Sequence, residues 1–139
     1  MVIADTGFWL ALGNRKDQHH ELAQQRLFEL EEPLITTWPV LTQTCHLLLQ
    51  RLGHPAQLKF MQSYEAGAFE VFDLSQNHAP VLTKLMKKYA SLPMDLADAS
   101  LIVLAEHLGD GRILSTDQRD FKSYRWKQHK PFRNLLLRG

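Results

Sequence analysis

Short apolar runs alternate with longer stretches of helical periodicity along this whole 139-residue chain. Val2-Ile3-Ala4, "PLITT" (33–37), the alternating "AFEVFDL" (68–74) and "RILST" (112–116) read as strands. Helical patterns fill the gaps: Gln18 to Leu30, "PVLTQTCHLLLQRLG" (39–53), a stretch from Pro55 to near Gly67, "NHAPVLTKLMKKYASL" (77–92) and "MDLADASLIVLAEHLG" (94–109). Pro39 and Pro80 suit first helical turns, where a missing N–H is no loss, and Gly53 and Gly109 suit helix ends. "RILST" is the last clear strand, and "DQRDF" behind it reads as a turn or short helix. Alternation of this kind predicts a three-layer α/β/α sandwich with a mainly parallel central sheet. In such sheets ligands gather beyond the carboxyl ends of the strands.

The length suits one compact domain over residues 1–139, and 45% hydrophobic with 22% charged residues is ordinary for a soluble globular protein. No leader pattern opens the chain and no apolar run approaches a bilayer's thickness, so a cytoplasmic location away from membranes is expected. Cys45 is the single cysteine, which excludes an internal disulfide and a cysteine-based zinc site. Cys45-His46 cannot act as a nucleophile–base pair, since helical neighbours point about 100° apart. His19-His20 and the other histidines lack zinc spacing and are expected at the surface.

Within this pattern the acids are conspicuous. Asp5 ends the first apolar run, before apolar sequence resumes at Phe8-Trp9-Leu10, and Asp117 directly follows "ILST". Turn formation or helix capping would account for either alone. Asp98 is different, because Leu101, Ile102 and Ala105 put it on the apolar stripe of its helix. An isolated carboxylate buried there would cost on the order of several kcal/mol unless paired, neutralised or metal-bound. Asp95, three residues earlier, reads as the N-cap with Asp98 at N3, or as a further acid on the same side. Three converging aspartates need a counterion, and Mg²⁺ or Mn²⁺ is the hard cation that oxygen ligands select.

These fragments together resemble the PIN-domain proteins of bacterial toxin–antitoxin systems, the VapC-like ribonucleases. "VIADTGFWLAL" resembles the family's opening strand and first acid, and "LITTWPVLTQTCHLL" its second strand and second-acid helix. "LPMDLADASLIVLAE" resembles the third-acid helix and "ILSTDQRDF" the fourth-acid strand end. The resemblance implies a PIN-like fold, Mg²⁺- or Mn²⁺-dependent endonucleolytic cleavage of RNA by a metal-activated water, a homodimer and a cognate VapB-like antitoxin. It implies metal binding by Asp5, Asp98 and Asp117, with Thr6 and Ser115 in support and Asp95 as an extra acid.

One position departs from the family pattern: the second acid, usually glutamate, is Gln43. Val40 and Leu47 put Gln43 on an apolar stripe, which favours a retained site position. Its neutral amide removes one negative charge from the cage and the base that a carboxylate would offer. A metal-demanding nuclease in which Gln43 and Asp95 orient waters is one outcome. A non-catalytic PIN-like module that binds RNA or antitoxin is the other. From Arg112 onward basic residues outnumber the two acids and interleave with aromatics, so Arg119, Arg125 and Lys127, with Arg15 and Lys16, are candidates for holding an RNA backbone. A solvated hairpin is the plainer reading of that segment. No P-loop or dinucleotide fingerprint occurs, and Gly7 stands where a dehalogenase-type phosphatase needs its second acid.

Overall fold

The computed structural model describes residues 1–138; Gly139, the last residue of the expected domain, lies outside the described residues. The strands are β1 (Val2–Ala4), β2 (Leu34–Thr37), β3 (Glu70–Phe72), β4 (Arg112–Leu114), β5 (Arg125–Trp126), β6 (Lys130–Pro131) and β7 (Arg133–Asn134). The helices are α1 (Thr6–Gly13), α2 (His20–Glu29), α3 (Trp38–Leu52), α4 (His54–Glu65), α5 (Ala79–Lys88), α6 (Leu96–Leu108) and α7 (Gln118–Ser123). Five strands form one sheet in the order β3-β2-β1-β4-β7, every pairing parallel, with helices packed around it. The α/β expectation holds.

β1 is central because both of its faces are covered: Val2, Ile3 and Ala4 are fully buried, as are Ile113 and Leu114 on β4. Each such Val, Ile or Leu side chain contributes about 1.5–3 kcal/mol on burial. α6 lies against the sheet with Leu101, Ile102 and Leu104 fully buried, and Gly109, at φ +66°, closes it in the left-handed conformation that glycine adopts without strain. Thr37, at the end of β2, donates to Ser100 Oγ at 2.6 Å, and Ser100 in turn donates to the Ala97 carbonyl. This buried pair pins the first turns of α6 to the end of the sheet.

The structure adds helix α1 and strand β7 to the sequence reading, and the basic segment forms the hairpin that its plainer reading expects. Phe8-Trp9-Leu10-Ala11 forms helix α1, buried nearly all round. After "RILST" the chain makes the antiparallel hairpin β5–β6, and then β7 adds a fifth parallel strand at the sheet edge. His20, expected at the surface, is half-buried with Nδ1 2.7 Å from the Ala11 carbonyl. Cys45 packs half-buried against the core. Among the described residues no helix is long and apolar enough to cross a membrane.

Candidate active site

The sheet order reverses direction at β1: β2 and β3 lie on one side, β4 and β7 on the other. The crevice at such a switch point, beyond the strand ends, is the preferred ligand position of open α/β sheets. Ala4 pairs with Leu114, so Asp5 and Ser115 leave the sheet side by side. Ser115 Oγ donates to Asp5 Oδ2 at 2.9 Å and accepts from the Asp117 N–H at 2.9 Å. One buried hydroxyl therefore links the acids that end β1 and β4. Asn134 on β7 holds that corner, donating to the Ser115 carbonyl at 2.9 Å.

Capping and clustering turn out to be compatible roles. Asp5 caps α1 through the Thr6 N–H at 2.7 Å, Asp95 caps α6 through the Asp98 N–H at 2.9 Å, and Asp117 caps α7 through the Asp120 N–H at 3.0 Å. Asp98 is the N3 residue of α6, half-buried, and its Oδ2 accepts from the hydroxyl of buried Tyr124 at 2.9 Å. Gln43, half-buried on α3, bridges two of these elements. Its Oε1 accepts from Thr6 Oγ1 at 2.8 Å, and its Nε2 donates to Asp95 Oδ2 at 3.2 Å.

Oxygens of Asp98, Asp117 and Asp120 come within 4.8 Å of one another, a set able to hold a metal ion. Asp120 escaped the sequence reading, although its i+3 spacing from Asp117 would put both on one turn of a helix. Its Oδ1 is buried with no hydrogen-bond partner among the described residues, its nearest cation being Arg119 Nε at 3.5 Å. Asp5, expected among the metal ligands with Asp98 and Asp117, is not one of this set; it is buried and feels the charges of Asp117 and Asp95. Burial first, then those neighbours, raises its pKa to about 6 against the pull of its hydrogen bonds. Burial, followed by Asp95, raises Asp98 to about 7. Burial and a shared contact with Asp117 push Asp120 upward as well. An all-oxygen donor set whose charge is this poorly compensated suits a hard divalent cation.

The basic candidates divide. Arg119 is exposed beside Asp120. Lys127 is exposed on the β5–β6 hairpin, its Nζ 5.8 Å from the Trp126 ring centre. Arg125 is committed instead to backbone, donating from Nη1 to the Lys122 and Tyr124 carbonyls at 2.7 and 2.9 Å. Arg15 lines a separate cavity of about 370 Å³ with Trp9, Leu34 and Phe60, a lining that includes none of the acids. Lys16 is exposed next to it in sequence.

The PIN domain family model matches residues 2–127. Ribonuclease VapC26 of Mycobacterium tuberculosis is 24% identical over 124 residues, 89% of this chain and 92% of that protein. The 23S rRNA-specific endonuclease VapC20 of the same organism is 44% identical over 57 residues, 40% of this chain and 43% of that one. The crystal structure of M. tuberculosis VapC20, a Sarcin-Ricin loop cleaving toxin, superposes with a TM-score of 0.80 at 21% identity, covering 86% of this chain and 92% of that chain.

Proposed function

Because the chain belongs to the PIN domain family, we propose that it is a metal-dependent endoribonuclease of the VapC-like toxin type. The observation that carries this reading is the carboxylate set of Asp98, Asp117 and Asp120 beside buried Asp5, at the switch point of the sheet. Those residues would hold Mg²⁺ or Mn²⁺. When bound, such an ion activates water and neutralises charge growing on a phosphodiester.

The chain's own groups have separable tasks. Ser115 fixes Asp5 and the turn into Asp117 together, so the two strand ends move as one unit. Gln43 keeps Asp95 and Thr6 in register and presents a neutral amide where the family pattern has a carboxylate. The amide accepts and donates but takes up no proton at neutral pH, so base strength at this position is lost and metal demand rises. Arg119 and Lys127, with Arg15 and Lys16 further off, supply positive charge for the RNA backbone. Under this reading the protein acts in the cytoplasm as a homodimer, and a short VapB-type antitoxin covers the crevice.

RNA cleavage in Mn²⁺ tests it, with 23S rRNA fragments and unstructured RNAs as substrates. Cleavage by the protein that EDTA and Asp98→Asn each abolish supports the nuclease. Cleavage by Gln43→Glu alone assigns the protein to an intact scaffold disarmed at one side chain. RNA binding without cleavage by any variant favours the non-catalytic module, the reading that Gln43 itself motivates.

A further inference from the structure

We infer that Tyr124 is a positioning residue for Asp98, fixing the carboxylate through one oxygen and leaving the other for a cation; this rests on the metal-dependent reading above. Tyr124 is completely buried, where phenylalanine would fill the same space without the need to satisfy a hydroxyl. Among the described residues Asp98 Oδ2, at 2.9 Å, is the one hydrogen-bond partner of that hydroxyl. The ring cannot swing away. Tyr89 and Phe121 pack edge-on against it, with centroids 5.0 and 5.1 Å distant and planes at 70° and 86°. Tyr89 is itself anchored, its hydroxyl accepting from the Arg125 N–H at 3.1 Å.

The chain path makes this contact more than local packing. Tyr124 is the C-cap of α7, its N–H donating to the Asp120 carbonyl at 2.9 Å. Asp117 caps the other end of the same helix and Asp120 lies in its first turn. One short helix thus carries two of the three clustered acids directly and holds the third, on α6, through the Tyr124 hydroxyl. Partners of this kind behind a ligating carboxylate typically control about ten- to a hundredfold in metal affinity or activity.

Tyr124→Phe removes one oxygen and keeps the ring, so the metal-free protein should retain its circular dichroism and melt only several degrees lower, the cost of one hydrogen bond to a charged group. Calorimetric titration with Mn²⁺ should give a dissociation constant raised about tenfold. In an Asp98→Asn background the same change should have no further effect. A second readout is optical. Titrating Mg²⁺ into the unaltered protein should perturb the ultraviolet spectrum of a buried tyrosine, and Tyr124→Phe saturated with the ion should lack that perturbation. Equal Mn²⁺ affinity of Tyr124→Phe and the unaltered protein overturns the positioning role while leaving the metal reading intact. A Mg²⁺ titration with no tyrosine signal, in a protein that calorimetry shows to bind the ion, overturns it too. No ion uptake by the unaltered protein removes the metal reading and this role with it.

Discussion

Gln43 Nε2 donates to Asp95 Oδ2 at 3.2 Å, so the residue where the family pattern has a glutamate is hydrogen-bonded to an acid rather than repelled by it. A carboxylate at position 43 could still accept from Thr6, but it would face Asp95 as a like charge. Gln43→Glu should therefore destabilise the metal-free protein by about 1.5–3 kcal/mol, the cost of losing a hydrogen bond to a charged group. The added charge should tighten Mn²⁺ binding in the same variant. Urea unfolding in EDTA beside calorimetric titration checks both signs, and a variant more stable without metal would sink the account.

The raised pKa values of Asp5, about 6, and Asp98, about 7, predict how stability varies with pH. Burial is the largest cause of both shifts. Between the ordinary aspartate value of 3.8 and these values the folded protein binds more protons than the unfolded chain. The stabilisation is complete below that ordinary value and is lost as pH rises through 6 to 7. The metal-free protein should be less stable at pH 8 than at pH 5 by on the order of a few kcal/mol. Glu32, held at about 2 chiefly by Arg112, is ionised in the folded protein, and its ordinary value of 4.5 lies below pH 5, so it adds little to the difference between pH 5 and pH 8. Unfolding curves in EDTA at the two pH values measure the difference, and Asp98→Asn should reduce it. Mn²⁺ affinity should run the opposite way, rising across the same interval as protons leave.

Much of this was readable in the sequence because the signals were local. An apolar β-branched run ending in Asp5 marks a strand end, Gly109 marks a helix end, and Asp98 on an apolar stripe marks a constrained acid. Helix α1 gave no such signal: with Phe8, Trp9, Leu10 and Ala11 all buried, its apolar residues show no helical stripe. Strands of two residues, such as β7, are too short for periodicity, and Asn134 matters there for side-chain bonds to a loop nineteen positions earlier. The Thr6–Gln43 and Asp98–Tyr124 contacts span 37 and 26 residues, and tertiary packing alone brings them together. Asp120 was the legible omission, since reading "DQRDF" as a helix puts it one turn from Asp117.

Gly7 should be intolerant of any side chain. A Cβ there would stand 1.8 Å from Thr116 Oγ1 and 3.0 Å from Thr116 Cβ, so Thr116, whose Cβ is tied directly to the backbone, would have to shift. Gly7→Ala should cost about 1–3 kcal/mol, the usual range for overpacking. Thr116→Ala should recover much of that loss, because it removes the closer atom. A double-mutant cycle in urea checks the coupling, and additive costs would show that the strain lies elsewhere.

Arg119, Lys127 and Arg125 should separate by what their removal changes. Arg119 and Lys127 are exposed, so Arg119→Ala and Lys127→Ala should leave the melting temperature nearly unchanged and weaken RNA binding. Each should reduce the salt slope of RNA binding by about 0.7, the value for one phosphate contact on a single strand. The Arg125 guanidinium is held by the carbonyls of Lys122 and Tyr124, so Arg125→Ala should instead lower stability, by about 1–2 kcal/mol. Arg15, on a cavity apart from the acids, should affect RNA affinity less than Arg119. Binding titrations over a range of salt, paired with thermal melts, distinguish the groups. A larger loss of RNA affinity from Arg15→Ala than from Arg119→Ala would move the bound strand away from the acidic crevice.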